Sequence, residues 1–153
     1  MKARTEIGLI EDAPRLDDLI GYHLRRASMF DMQDFATHFA DTKLLRPVPF
    51  SVLCRIDEEP GITAAGLCRM LSLQRSNIVP ILAELDEAGL LERRSDSLDQ
   101  RLLRLFLTRT GKRTLASWRQ RVKQREDELF AHLTTTERAT LLRLLAKAWT
   151  GGS

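Results

Sequence analysis

The stretch from Leu73 to Thr108 constrains the fold most, because the period of its apolar residues changes partway along. In its first half, four apolar side chains recur at helical spacing: Ile78, Ile81, Leu82 and Leu85. In its second half, three leucines alternate with other side chains: Leu103, Leu105 and Leu107. The first pattern predicts an amphipathic helix and the second predicts a β-strand.

Turn-forming residues separate the two patterns. Gly89 can adopt the left-handed conformation that ends many helices, so we expect the helix to stop at Ala88-Gly89. Leu90–Arg94 is then a short extended run, and residues 95–100 (SDSLDQ) form a cluster typical of turns. Arg101–Thr108 supplies a second extended arm. The sequence therefore predicts a helix that leads into a β-hairpin.

Polar and basic side chains gather at the start of this helix and on the hairpin. A helix can lie in the major groove of DNA, while an arginine-bearing hairpin tip can reach phosphates or a minor groove. We therefore predict the following DNA-contacting residues: Gln74, Arg75, Ser76, Asn77, Arg94, Arg101 and Arg104. Within this set, Arg75, Ser76 and Asn77 lie where base edges are read. For Arg93 and Arg94 two roles stay open, since each could bind phosphate or pair with acids within the fold.

The charge is concentrated in the same part of the chain. Residues 61–125 hold 13 basic and 6 acidic side chains, a net charge of +7, although the whole 153-residue chain carries only +3. Such a field favours a phosphate-rich partner, and a solvated basic face with no partner is the alternative. No run of 18 apolar residues occurs, and the N-terminal residues include acids where a signal peptide would be apolar. We expect a cytoplasmic protein with no membrane partner.

The stretch resembles the winged helix-turn-helix of the MarR (multiple antibiotic resistance regulator) family. Three motifs carry the resemblance, namely an L-x-x-L-x-x-x-G-L-L-x-R run, a D-x-R pair in the hairpin and an L-T-x-x-G helix opening. Their residues in this chain are Leu82, Leu85, Gly89, Leu90, Leu91, Arg93, Asp99, Arg101, Leu107, Thr108 and Gly111. The resemblance covers about Leu16 to Trp149. Pro80 departs from the family pattern, because the family often has a polar or basic residue there.

The resemblance implies a mainly α fold with a small β-wing, made of six helices and a two-stranded hairpin. It further implies one domain, residues 1–153, in which the terminal helices of two subunits interlock. In this scheme residues 46–108 form the DNA-binding region, and residues 15–45 and 109–150 supply the dimerisation helices. The implied partners are a second copy of the chain and double-stranded DNA with an inverted-repeat operator.

Apolar periodicity and helix-capping residues predict five further helices, at residues 15–40, 50–58, 64–71, 109–133 and 134–149. Pro49 would pre-set the first turn of the second of these helices. Thr63 and Thr108 can cap the third and fourth, and Thr134 with Glu137 forms a capping box for the last. Ser72-Leu73 then provides a tight turn, which completes a helix-turn-helix.

The resemblance also places an effector pocket between the first two helices and the fifth, near the dimer seam. Candidate lining residues in these helices are Tyr22, His23, Arg26, Ser28, Phe50 and Trp118. Aromatic walls with one cation would suit a flat aromatic carboxylate or its thioester, with Arg26 pairing the carboxylate. Taken singly, Phe50 and Trp118 are more often core residues than ligand contacts, and a histidine such as His23 more often has its hydrogen bonds made within the fold. The function expected is a repressor that the effector releases from DNA.

Other classes of function receive less support. The three histidines are far apart and no C-x-x-C occurs, so we expect neither a metal nor another cofactor. There is no phosphate-binding glycine loop or nucleophile elbow, so we do not expect an enzyme. Two alternatives stay open: a winged-helix module that docks another protein, and a redox-responsive regulator that uses Cys54 or Cys68.

Overall fold

The computed structural model describes residues 13–150, which form six α-helices and one antiparallel pair of strands. In chain order these are α1 (Ile20–His38), α2 (Pro47–Glu58), α3 (Ala64–Leu71), α4 (Arg75–Glu87), β1 (Leu91–Ser95), β2 (Leu103–Leu107), α5 (Arg109–Leu129) and α6 (Thr135–Thr150). The prediction of a mainly α fold with six helices and a two-stranded wing is confirmed. The chain divides into two compact units between Ala40 and Asp41.

The first unit contains α1, and its start corrects the predicted helix at residues 15–40. Leu16–Asp18 forms a single 3-10 turn, in which the Asp18 carboxylate accepts the Arg15 N–H at 3.1 Å. Leu19 is extended, with φ −94° and ψ 115°, so the α-helix begins only at Ile20. Apolar side chains of α1 lie exposed, among them Met29, Phe30 and Met32.

In the second unit, α2 begins three residues earlier than predicted. Pro47 is its first residue, so both Pro47 and Pro49 lie in the first turn. The N–H groups of a first turn have no acceptor inside the helix, which is why two prolines are tolerated there. Three residues of α2 are fully buried and anchor the core of this unit: Val52, Leu53 and Ile56.

The helix-turn-helix has the predicted bounds. Thr63 caps α3 by accepting the Gly66 N–H at 3.1 Å, and Ser72 ends the helix in the left-handed conformation at φ 51°. Helix α4 follows and buries Ile78, Leu82 and Leu85, whereas Ile81 is half-buried. Gly89, at φ 71°, follows the end of α4 as predicted.

Pro80 lies inside α4, at the sixth residue of the helix, and is exposed. It has no N–H to donate to the Ser76 carbonyl, four residues back. Water can satisfy that carbonyl because the surrounding side chains are exposed. Solvent therefore lowers the penalty of an interior proline on this face.

The hairpin is attached to the helices along one of its edges. Strands β1 and β2 pair from Leu91↔Leu107 to Ser95↔Leu103. On its other edge β2 meets the α2–α3 turn: Gly61 N–H donates to the Leu105 carbonyl at 2.8 Å, and Leu105 N–H donates to the Ile62 carbonyl at 3.0 Å. Thus β2 is hydrogen-bonded on both edges, and the wing is tied to the helix-turn-helix.

Helix α5 starts at the base of the wing. Thr108 caps it by accepting the Gly111 N–H at 2.9 Å, as predicted, and Thr108 N–H donates to the Leu90 carbonyl at 3.1 Å. A Cβ placed on Gly111 would lie 1.9 Å from the Leu90 oxygen. Glycine is therefore required at this position by the close approach of the two backbones.

Helix α5 ends at Leu129, four residues before the predicted end, because Phe130 leaves the helical conformation. The capping box at the start of α6 is confirmed: Glu137 accepts the Thr134 N–H at 2.8 Å, and Thr134 Oγ1 accepts the Glu137 N–H at 3.2 Å. Within the described residues of α6 no side chain is buried, and Leu142 and Trp149 are each 71% exposed.

Candidate nucleic-acid interface

The first turn of α4 and the residue before it present exposed polar side chains. Gln74 precedes the helix in an extended conformation, and its side chain does not cap. Arg75, Ser76 and Asn77 follow and are exposed, as is Gln74. Within residues 13–150, the side chains of these four residues make no hydrogen bond or ion pair. The turn therefore offers donors and acceptors that are free to meet base edges or phosphates.

The wing loop between β1 and β2 is organised by two aspartates. Asp96 Oδ1 accepts the N–H groups of Leu98 at 2.8 Å and Asp99 at 3.1 Å. Asp99 Oδ1 in turn accepts the Arg101 N–H at 3.0 Å. The Arg101 guanidinium is exposed and has no partner among the described residues. The loop therefore fixes the backbone of Arg101 and leaves its charge available.

The other three arginines of the wing are held by groups of the fold. Arg93 Nε donates to Asp86 at 3.1 Å, which ties β1 to the end of α4. Arg94 pairs with Glu92, and its guanidinium carbon lies 4.5 Å from the centre of the Phe106 ring. Direct DNA contact by Arg94 stays a prediction, and its pair with Glu92 favours the other role, in which it binds an acid within the fold.

Arg104 has two partners, although the sequence predicted it as a DNA contact. Its Nε pairs with the Asp96 carboxylate, and its Nη1 donates to the Gly61 carbonyl at 3.0 Å. The guanidinium and the two loop N–H groups lower the pKa of Asp96 to about 2. Sequence reasoning missed Asp96 and Gly61. An Asx turn in SDSLD was the available signal for Asp96, whereas the position of the Gly61 carbonyl depends on tertiary structure.

The residues predicted to bind an effector are divided between the two units. Tyr22, His23, Arg26 and Ser28 lie on α1, Phe50 lies on α2, and Trp118 lies buried on α5. Arg26 Nη1 donates to the Tyr22 hydroxyl at 3.2 Å, so these two are brought together. His23 Nε2 lies 2.8 Å from the Asp17 carbonyl oxygen, so this ring nitrogen has a hydrogen-bond partner within the fold. The pocket itself stays a prediction.

The two cysteines are free thiols, each half-buried. Burial raises the pKa of the Cys54 thiol, and a hydrogen bond with Arg119 opposes this only in part. A raised pKa reduces the thiolate fraction, and the thiolate is the form that oxidants attack. The surroundings of Cys54 therefore disfavour a redox switch there. In residues 13–150 no three His, Cys, Asp or Glu side chains are grouped as metal ligands.

Together, the helix-turn-helix, the hairpin and the free side chains at their ends define a winged-helix protein of the DNA-binding type. The MarR family model matches residues 45–103. The transcriptional regulatory protein for the hcr operon of Thauera aromatica is 31% identical over 130 residues, which are 85% of this chain and 78% of that protein. The chain belongs to the MarR family of transcriptional regulators.

Solved structures agree with this assignment. The repressor CouR bound to a 23-mer DNA duplex is 36% identical, covers 87% of this chain and 94% of its own, and superposes with a TM-score of 0.81. CouR bound to p-coumaroyl-CoA is 32% identical, with coverage of 90% and 96% and a TM-score of 0.76. No helix within residues 13–150 has the length and apolar character needed to cross a bilayer.

Proposed function

We propose that this chain is a ligand-responsive repressor that binds an operator in double-stranded DNA. One observation carries the proposal: the first turn of α4 and Arg101 of the wing, whose side chains have no partner among the described residues, belong to the region with net charge +7. The similarity to a repressor bound to DNA supports it. A regulator of this kind acts on the chromosome, hence in the cytoplasm, and needs no catalytic group.

A salt titration of DNA binding tests this proposal. Neutralising several phosphates releases counterions, so log affinity should fall linearly and steeply with log salt concentration. The duplex is one that the protein itself selects from a random-sequence pool. A flat dependence, or no selected duplex, would favour the winged-helix module that docks another protein.

The repressor is proposed to act as a homodimer through its terminal helices. Both α1 and α6 expose apolar side chains, which a second copy could cover: Leu24, Met29, Phe30, Met32, Leu141, Leu142, Leu144, Leu145 and Trp149. A two-fold protein reads a two-fold operator, so half-site centres should lie about 10 base pairs apart, ~34 Å, or a multiple of that. Deleting residues 141–153 should yield monomers or aggregates that no longer bind DNA. A stable monomer that still binds would exclude this interface.

The effector is proposed to be an aromatic carboxylic acid or its coenzyme A thioester. The similarity to a repressor bound to p-coumaroyl-CoA supports this class. Within α1, Arg26 and Tyr22 provide a cation and a phenol in contact, and Arg26 is exposed. An aromatic ligand with a negative group could replace the Tyr22 hydroxyl as the partner of Arg26. His23, Ser28, Phe50 and Trp118 are the further proposed contacts.

Release requires that the effector bind the DNA-incompetent form more tightly than the competent form. Titrating the DNA complex with p-coumaric acid and with p-coumaroyl-CoA tests the effector class. Arg26→Ala should keep DNA affinity but need at least about tenfold more effector for release, because it removes a charge-assisted contact. Release of the mutant at the wild-type concentration would remove Arg26 from the site. If neither compound releases the wild-type protein, these two candidates are excluded.

A further inference from the structure

The Arg104 side chain connects two segments that are far apart in sequence. Its Nε pairs with Asp96 at the start of the wing loop, and its Nη1 donates to the carbonyl of Gly61 in the α2–α3 turn. A single planar guanidinium can donate in both directions, which an ammonium group cannot do in the same geometry. Arg104 therefore bridges the wing loop and the body of the helix-turn-helix.

The partners of Arg104 are themselves fixed. The side chain of Asp96 is only 10% exposed, and it holds the N–H groups of Leu98 and Asp99 as well as the guanidinium. Gly61 belongs to the turn that is bonded to β2 through its own N–H. A shift of the loop away from the body would break the ion pair and the carbonyl contact together.

We propose that Arg104 is a positioning residue of the wing, which holds the loop bearing Arg101 at a fixed place relative to α4 and does not itself contact DNA. The proposal rests on the proposed function, since it assigns Arg104 a part in DNA binding through Arg101. It replaces the expectation from sequence that Arg104 is a contact residue. A direct contact would require the guanidinium to leave Asp96, or to serve DNA beside a carboxylate that repels it.

Asp96→Asn separates positioning from contact, because the two roles predict opposite changes in DNA affinity, and Arg104→Lys tests the geometry of the bridge. Asp96→Asn keeps an oxygen for the Leu98 and Asp99 N–H groups but removes the charge partner of Arg104. If Arg104 contacted DNA, losing a nearby negative charge would tighten binding. If it positions the wing, affinity for the selected duplex should fall about tenfold despite the better electrostatics.

Arg104→Lys keeps the positive charge, but lysine cannot reach both Asp96 and the Gly61 carbonyl with the geometry of the guanidinium. We expect a loss of about tenfold with an unchanged slope of log affinity against log salt, since no phosphate contact is removed. The double variant should lose no more DNA affinity than the weaker-binding single variant, because both substitutions break the same Asp96–Arg104 bridge. Arg55→Gln is the matched control, because it removes an exposed pair with Glu58 outside the hairpin.

Hydrogen exchange in the free protein gives a readout that does not depend on DNA. The Asp96 N–H donates to Leu102, and the Leu102 N–H donates to Asp99, so both report on the wing loop. Both amides should exchange faster in Arg104→Lys and Asp96→Asn and not in Arg55→Gln. Unchanged exchange, or wild-type affinity in Arg104→Lys, would overturn the proposal. If the two amides exchange faster in the variants but the wild-type protein binds no DNA, the proposed function is wrong and the bridging role of Arg104 still holds.

Discussion

The first turn of α4 and the wing are both rich in polar and basic side chains, but they use them differently. At the start of α4, the side chains of Gln74 to Asn77 have no partner within residues 13–150, and Ile78, Leu82 and Leu85 hold the helix in the core. In the wing, three of four arginines are bound to groups of the fold. A two-stranded hairpin is marginal by itself and needs such contacts.

This difference suggests two roles: side chains at the start of α4 are available to recognise bases, whereas most arginines of the wing maintain its structure. Free neutral side chains such as Asn77 can discriminate between base edges, whereas a cation on a rigid loop adds affinity for any duplex. We therefore expect the wing to make fewer DNA contacts than its number of arginines suggests. We expect substitutions in α4 to change which DNA is bound, and substitutions in the wing to change how tightly any DNA is bound.

The largest effect should come from Gly111→Ala, which removes the support common to both regions. The new Cβ would lie 1.9 Å from the Leu90 oxygen, so α5 must move away from the base of the wing. We expect the free energy of unfolding to fall by about 3 kcal/mol or more, measured by urea denaturation. Gly21→Ala on α1 is the control, because its Cβ would meet nothing nearer than Arg25 Nη1 at 3.7 Å. Equal stability of the two variants would contradict the packing described for Gly111.

Arg101→Ala should leave the fold intact, and among the substitutions that do so it should have the largest effect on affinity for DNA of any sequence. A hydrogen bond to a charged group contributes roughly 1.5–3 kcal/mol, so the two wings of the proposed dimer would lose about 3–6 kcal/mol. If both guanidinium groups bind phosphate, the salt dependence should also become shallower by about two phosphate contacts. Thermal unfolding should stay at the wild-type temperature because the side chain is exposed and makes no contact that the described part of the chain would lose. Unchanged affinity at the same salt concentration would show that the wing does not reach DNA.

Asn77→Ala should have a smaller effect that is confined to the selected sequence. A neutral hydrogen bond contributes roughly 0.5–1.5 kcal/mol, which gives about 1–3 kcal/mol for two copies. Binding of the variant is measured on the selected duplex and on a random duplex of equal length. Equal losses on both would mean that Asn77 binds the backbone of DNA and that the contrast with Arg101 does not hold.

The sequence predicted the features that depend on local residues and missed those that depend on tertiary contacts. Local signals placed α3, the turn at Ser72, the end of α4 and the caps at Thr108 and Thr134, because each depends on neighbours in sequence. The contacts of Arg104 and the approach of Gly111 to Leu90 depend on tertiary structure, so the pattern of charges could not supply them. The start of α2 differs from the prediction because prolines near a helix start are compatible with several first residues, and that of α1 differs because Leu19 is extended.

The smallest effect should come from Ser72→Gly, in the turn that sets the direction of α4. Ser72 adopts φ 51° and ψ 41°, a left-handed conformation that costs a residue with a Cβ roughly 1–2 kcal/mol. Glycine avoids this cost but loses more chain entropy on folding, so we expect a net stabilisation of about 0.5 kcal/mol. Ser72→Val is the matched opposite, because a β-branched side chain tolerates this conformation least. Thermal unfolding should therefore rank glycine above serine and serine above valine. DNA affinity should be the same for the glycine and serine proteins, because the turn keeps its shape and every contact of α4 is retained. A changed affinity would show that the Ser72 side chain itself contacts DNA.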